Sequence, residues 1–542
     1  MNRLWYWVGV LWAGGLGAQV QFEDVALQAG IRFKHEKGDQ GRRFMPETYG
    51  SGAAFLDCDT DGLLDIYLVN SGRLPGLSSA PEAANALYRN LGDGTFADIS
   101  EASGTGDTGY GMGVAVGDFD SDGDADLYVT NFGANRLYRN EDGGRFGDFT
   151  ARAGVGGGGW SSSAAFADVD LDGSLDLYVC TYLDYPLEDP TACTVGNTGE
   201  LLYCDPRKFP GLVDRFYHNQ GEGRFVDRTA EMGLANPAGK ELGVVFGDVD
   251  QDGDPDLYLA NDMAPNALYL NQGGAGFVEY GLASGTSLSL EGKVQAGMGV
   301  DMGDCDGDGL PELLVTNFQW ESNNLYRNLG RGLFADATVE SGLHQLSFPY
   351  LGFGAGFLDA DQDGDLDIFV ANGHVYDNVA LVDPAAVYAQ RSQLLLNQGK
   401  GRFAEAGTAG QGLEPARVSR GAAFGDYDSD GDLDIALNNS GGWAALLRNE
   451  RGGSHWLGLK LRGRRSNSDG VGAKVRVQAG GQEQWRQVRG GGSYLSGHDL
   501  RLLFGLGSHR VAEQVEVLWP GGRLQRLGSV PADQYLLVEE PE

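Results

Sequence analysis

The chain has 542 residues, more than one ordinary domain, with 87 glycines spread along it and a formal charge of −36. Its ordinary hydrophobic content argues against disorder, the glycine favours turn-rich all-β structure over helices, and the charge argues against a nucleic-acid partner because nothing offsets phosphate repulsion. A chain this acidic either stays soluble by repulsion or neutralises itself with cations.

The opening, MNRLWYWVGVLWAGGLGAQVQ, sets Arg3 ahead of an apolar run at 4–17, with small residues at Gly15, Gly17 and Ala18. This predicts a signal peptide over residues 1–18, with an uncleaved anchor as the other reading, since the run is short for a bilayer span. No later stretch reads as a membrane span, so a secreted, periplasmic or cell-surface protein is expected. Export brings oxidising conditions and calcium. Of the five cysteines, Cys193 and Cys204 share one loop and are disulfide candidates; Cys58 and Cys305 hold equivalent places in two acidic turns, and Cys180 is left over.

The next element recurs seven times: an acidic turn with carboxylates at its positions 1, 3, 5 and 9 and glycine at position 6. The copies carry Asp57, Asp59, Asp61 and Asp65; Asp118, Asp120, Asp122 and Asp126; Asp168, Asp170, Asp172 and Asp176; and Asp248, Asp250, Asp252 and Asp256. Then come Asp304, Asp306, Asp308 and Glu312; Asp359, Asp361, Asp363 and Asp367; and Asp426, Asp428, Asp430 and Asp434. Carboxylates so close repel one another unless a cation sits among them. Oxygen ligands at this spacing suit Ca²⁺, with the backbone carbonyl at position 7 completing the cage; Mg²⁺ demands tighter octahedral geometry. The helix–loop–helix calcium motif wants a bidentate Glu at position 12, where this chain has apolar residues such as Leu68, Val129 and Leu437. The flanks, DIYLVN, DLYVTN and DIFVAN, are β-branched and aromatic, so each turn joins two strands. About seven calcium ions are expected, one per repeat.

A small-residue strand precedes each turn. A third strand such as NRLYRN follows the second, and a glycine-rich turn leads to a fourth such as RFGDFT. Four strands repeated seven times predict a seven-bladed β-propeller over residues 19–450. The seventh unit lacks its fourth strand. QFEDVALQAG near the start matches RFGDFTARAG, so residues 21–30 are expected to supply it and remove an open edge. Residues 451–542 alternate at period two and read as a small β-sandwich-like domain. This tail carries 13 Lys and Arg against 9 Asp and Glu, a net +4, leaving −40 on the first 450 residues.

Loop, strands and copy number resemble the FG-GAP/VCBS repeat proteins, the integrin-type calcium propellers. The tail segments SNSDGVGAKVRVQAGG and GGGSYLSGHDLRLLFGLG resemble the ASPIC/UnbV domain, a pairing similar to the cartilage acidic protein family and its bacterial secreted members. The resemblance implies an extracellular calcium propeller and supplies no activity. Connections after the second strand are long at 70–85, 181–214 and 372–392, and suit binding loops on a rigid scaffold. Tyr49, Tyr110, Trp160, Gln295, Tyr350 and Arg420 are candidates to line the axial mouth, with ordinary inner-strand packing as the plainer reading. SYLSGHD reads as a hairpin turn of the tail domain. Two functions remain: a binding or adhesion module for glycan or extracellular protein, and an extracytoplasmic lyase or cyclase using the axial pocket, for which no acid–base constellation stands out.

Overall fold

The computed structural model describes residues 20–77, 82–188, 192–196, 198–407 and 409–542. The expected signal peptide lies outside the described residues.

The apolar second strands, such as Asp126–Phe132 and Asp367–Asn372, are buried almost throughout, because each sheet packs between two neighbours. Among the described residues there are seven four-stranded antiparallel meanders, six of them ordered as in the chain. Their first strands are Ala53–Leu56, Tyr110–Gly117, Ser161–Ala167, Glu241–Gly247, Val300–Gly303, Gly352–Leu358 and Ser419–Gly425. Each first strand touches the next, and the seventh touches the first, so the sheets close a ring. The seventh sheet takes its outer strand from Phe22–Asp24, with Phe22 opposite Asn449 and Asp24 opposite Leu447, as the sequence match predicts.

The tail forms two sheets facing each other. Leu502–Gly507, His455–Arg462 and Gln534–Glu539 make one; Gln482–Gln487, Lys474–Ala479, Val511–Leu518 and Leu524–Pro531 make the other. Leu457, Val475, Val477, Phe504, Val515 and Trp519 fill the space between, and the same apolar cluster continues into Phe119 and Phe166 of the second and third propeller sheets.

SYLSGHD is not a tight hairpin turn. Between Gln482–Gln487 and Leu502–Gly507 the chain leaves the sandwich as a finger and runs along the propeller axis. The amides of Phe246, Val300, Val114 and Phe55 donate to the carbonyls of Gly490, Ser493, Leu495 and Gly497 at 2.9–3.2 Å. The Leu495 amide donates to Ser163 Oγ at 3.0 Å, and the Tyr494 ring meets Phe353 at 5.0 Å. Only glycine fits at residue 490, where a Cβ would lie 1.8 Å from the Phe166 carbonyl. The plainer reading of the axial candidates therefore holds: Tyr49, Tyr110, Trp160 and Arg420 are buried, Gln295 and Tyr350 are half-buried, and the axis beside them is filled by Tyr494 and Leu495. The axial pocket that the enzyme alternative requires is occupied by the chain's own finger.

Candidate metal centres

Each acidic turn builds the same cradle from backbone amides. The glycine amide at position 6 donates to the position-1 carboxylate at 2.8–3.2 Å in all seven copies. The position-7 amide donates to the position-5 carboxylate at 2.8–3.0 Å. The position-9 acid caps the turn by accepting the position-2 amide at 2.9–3.3 Å. Glu312 does this with its longer side chain as the aspartates do. The curl needs left-handed backbone at positions 4 and 6. Glycine supplies it at position 6, but position 4 carries Thr60, Ser121, Leu171, Gln251, Gln362 and Ser429 at φ 52–66°. Six non-glycine residues thus hold the same left-handed angle in equivalent places of six turns.

An asparagine stands at or near the end of each third strand: Asn90, Asn140, Asn219, Asn271, Asn328, Asn397 and Asn449. Its amide donates to the position-9 acid at 2.7–3.3 Å. Its side chain reaches the position-2 carbonyl of the preceding sheet's turn at 2.8–3.0 Å, from Asn90 on Tyr427 through to Asn449 on Ala360. Seven such bonds lace the turns into a belt. The signal was the unvarying Asn itself; its partner, 79 to 337 residues away in a different repeat, was not legible.

The cradle leaves carboxylate oxygens over. One oxygen each of Asp57, Asp59, Asp120, Asp170, Asp248, Asp306 and Asp359, all at positions 1 or 3, is buried without a hydrogen-bond partner among the described residues. Burial, with neighbouring carboxylates adding to it, pushes Asp65, Asp168 and Asp359 up to about 7 and Asp256 and Glu312 up to about 8. An orphaned anionic oxygen in a desolvated, all-oxygen cage fits a hard divalent cation such as calcium.

The turn face is also where the basic tail docks. Lys460 reaches Asp57 at 3.4 Å, Ser468 Asp118 at 2.6 Å and Lys474 Asp248 at 2.6 Å. The Gly505 amide reaches Asp359 at 3.1 Å and the Tyr535 hydroxyl Asp426 at 2.7 Å. All five acids hold position 1. The change of charge sign at Arg451, visible in the sequence, is explained by this contact.

On the opposite face Cys193 and Cys204 are disulfide-bonded, and Cys58, Cys180 and Cys305 are buried thiols. Tyr203 donates to Glu47 at 3.1 Å, Arg43 pairs with Asp377 at 2.6 Å and Asn378 donates to the Leu201 carbonyl at 3.0 Å, so two of the long connections meet each other and the segment before the first sheet. Among the described residues no helix is long and apolar enough to cross a membrane.

The FG-GAP-like repeat family matches residues 57–129, 118–179, 200–259, 248–315 and 304–370, and the ASPIC and UnbV family matches 463–542. Cartilage acidic protein 1 of Homo sapiens is 25% identical over 328 residues, 60% of this chain and 39% of the relative. The Xenopus tropicalis protein is 27% identical over 303 residues, 54% of this chain and 44% of the relative. The chain thus spans less than half the length of these curated relatives. Among solved structures, the BP39L lectin from Burkholderia pseudomallei aligns at a TM-score of 0.42 and 9% identity over 75% of this chain and 98% of that one.

Proposed function

Because the chain belongs to the FG-GAP-like repeat family and ends in an ASPIC and UnbV domain, we propose that it is an exported binding module whose propeller is held rigid by calcium in its acidic turns. The observation that carries the calcium reading is the set of buried, partnerless carboxylate oxygens at positions 1 and 3. The carboxylates at positions 1, 3, 5 and 9 would hold the ion with the position-7 carbonyl. Position-9 oxygens accept an amide and keep a lone pair for the metal. Bound calcium supplies charge neutralisation and cross-linking, with no chemistry of its own.

The ligand surface is the face carrying the long connections, because the tail domain covers the other. Trp320 and Trp443, 44% and 58% exposed, lie in connections after second strands and are the aromatic groups best placed to meet a glycan or an extracellular protein. The disulfide fits an oxidising compartment.

Metal analysis of the purified protein should find calcium near one ion per turn, and EDTA should lower the melting temperature by tens of degrees, reversibly on adding calcium. An unchanged melting curve defeats the calcium reading. A glycan and ectodomain array tests the ligand: Trp320→Ala or Trp443→Ala should cut binding at least tenfold without moving the melting temperature, and arrays blank in calcium defeat the binding-module reading.

A further inference from the structure

The seven repeats act as controls for one another, and one differs in kind at the metal cradle. The residue before the third-strand asparagine faces the turn. It is Arg89, Arg139, Arg327 and Arg448 in four sheets and Leu270 and Leu396 in two; in the third sheet it is His218. The arginines answer the position-3 carboxylate as counter-charges: Arg89 lies 3.8 Å from Asp59, Arg139 3.8 Å from Asp120 and Arg327 3.3 Å from Asp306. Arginine stays protonated and cannot ligate a metal. Histidine can.

His218 Nδ1 lies 3.0 Å from Asp176 and 3.8 Å from Asp170, in a side chain only 14% exposed. Asp170, Asp176 and His218 each bring a ligand atom within 4.8 Å of the others. Asp170 Oδ1 is one of the buried oxygens with no partner, so an acceptor is left over beside the ring. The cradle is otherwise that of its sisters, with Asp168 taking the Asp172 and Gly173 amides.

We propose that the third turn is a mixed nitrogen–oxygen site that takes a first-row transition ion, of the Mn²⁺ or Zn²⁺ class, in preference to the calcium its six sisters hold. The proposal rests on reading the turns as cation sites and adds a chemical difference among them. Calcium takes oxygen ligands, whereas imidazole favours transition ions, and carboxylates alone give them little advantage over calcium. In such a site the neutral imidazole would offer a ring nitrogen to the ion, with Asp170 and Asp176 as anionic co-ligands.

Co²⁺ is the probe, because its visible absorption reports nitrogen ligation. Full-length protein is stripped with EDTA and reloaded with Co²⁺ in excess Ca²⁺. The wild type should keep one Co²⁺ per chain, with a ligand-field band and one paramagnetically shifted imidazole signal. His218→Gln should lose both and weaken Co²⁺ retention at least about tenfold while its calcium content stays at or above that of the wild type. His218→Arg, which installs the residue of four sister turns, should fold normally and behave like His218→Gln. Calcium in all seven turns with no Co²⁺ retained, or Co²⁺ retention indifferent to His218, overturns the inference and leaves His218 a counter-charge like the arginines. Protein that binds neither ion overturns the calcium reading as well.

Discussion

Asn140 shows what one side chain does in the belt of turns. Its Nδ2 donates to the Cys58 carbonyl at 2.8 Å and the Ala125 carbonyl at 3.3 Å while its amide holds Asp126. Asn140→Ala keeps the amide and loses both side-chain bonds, leaving buried carbonyls short of a donor. It should cost about 2 kcal/mol in denaturant unfolding in calcium. Glu47 tests burial of charge away from the turns. Desolvation, with the Asp39 charge adding to it, raises its carboxyl from 4.5 to about 7. A raised folded-state value means its stabilisation is present below the unfolded value and is lost as pH rises through about 7. The wild type should therefore lose, relative to Glu47→Gln, on the order of 3 kcal/mol between mildly acid and mildly alkaline pH, read from parallel pH–melting series. The carboxylate turns themselves were legible, because spacing and an obligatory glycine are local properties. The left-handed residues at position 4 were not, since Thr60, Leu171 and Gln362 share no chemistry, only a backbone angle.

Among elements, the finger at 490–499 and the strand Phe22–Asp24 contrast in how far sequence carries. The strand was legible because it copies the fourth strand of its sister repeats. The finger was not: its glycines and serines read as a turn, and its hydrogen-bond partners sit in the inner strands of other sheets. Leu495 is fully buried where those strands meet. Leu495→Ala should cost about 2–5 kcal/mol and, because it loosens the link between tail and ring, should split a single calorimetric transition into two. A single transition at the wild-type temperature would show that the finger carries no stability.

For the whole molecule, charge decides. The −40 of the first 450 residues meets a tail of +4 across the turn face, and the lysines there offset little of the excess. Without divalent ions the ring repels itself, and salt screens that repulsion. In EDTA the melting temperature should climb with added sodium chloride, while in calcium it should stay nearly flat. Equal salt slopes in the two buffers would show that repulsion among the turns does not govern stability. The ring, its closing strand and a second β domain were legible in the sequence. That the domain sits on the turns and fills the axis was not, because docking depends on surfaces assembled from all seven repeats.

The pairing of Phe22 with Asn449 also sets a timetable. The strand that completes the last sheet is made first and used last. During synthesis that segment must wait, with its partner edge not yet in existence, until more than four hundred further residues have been added. Only then can the circle shut, and only after that does the finger's segment arrive to enter the middle. A chain cut short before Asn449 therefore lacks the edge on which Phe22–Asp24 pairs, and its last sheet stays open.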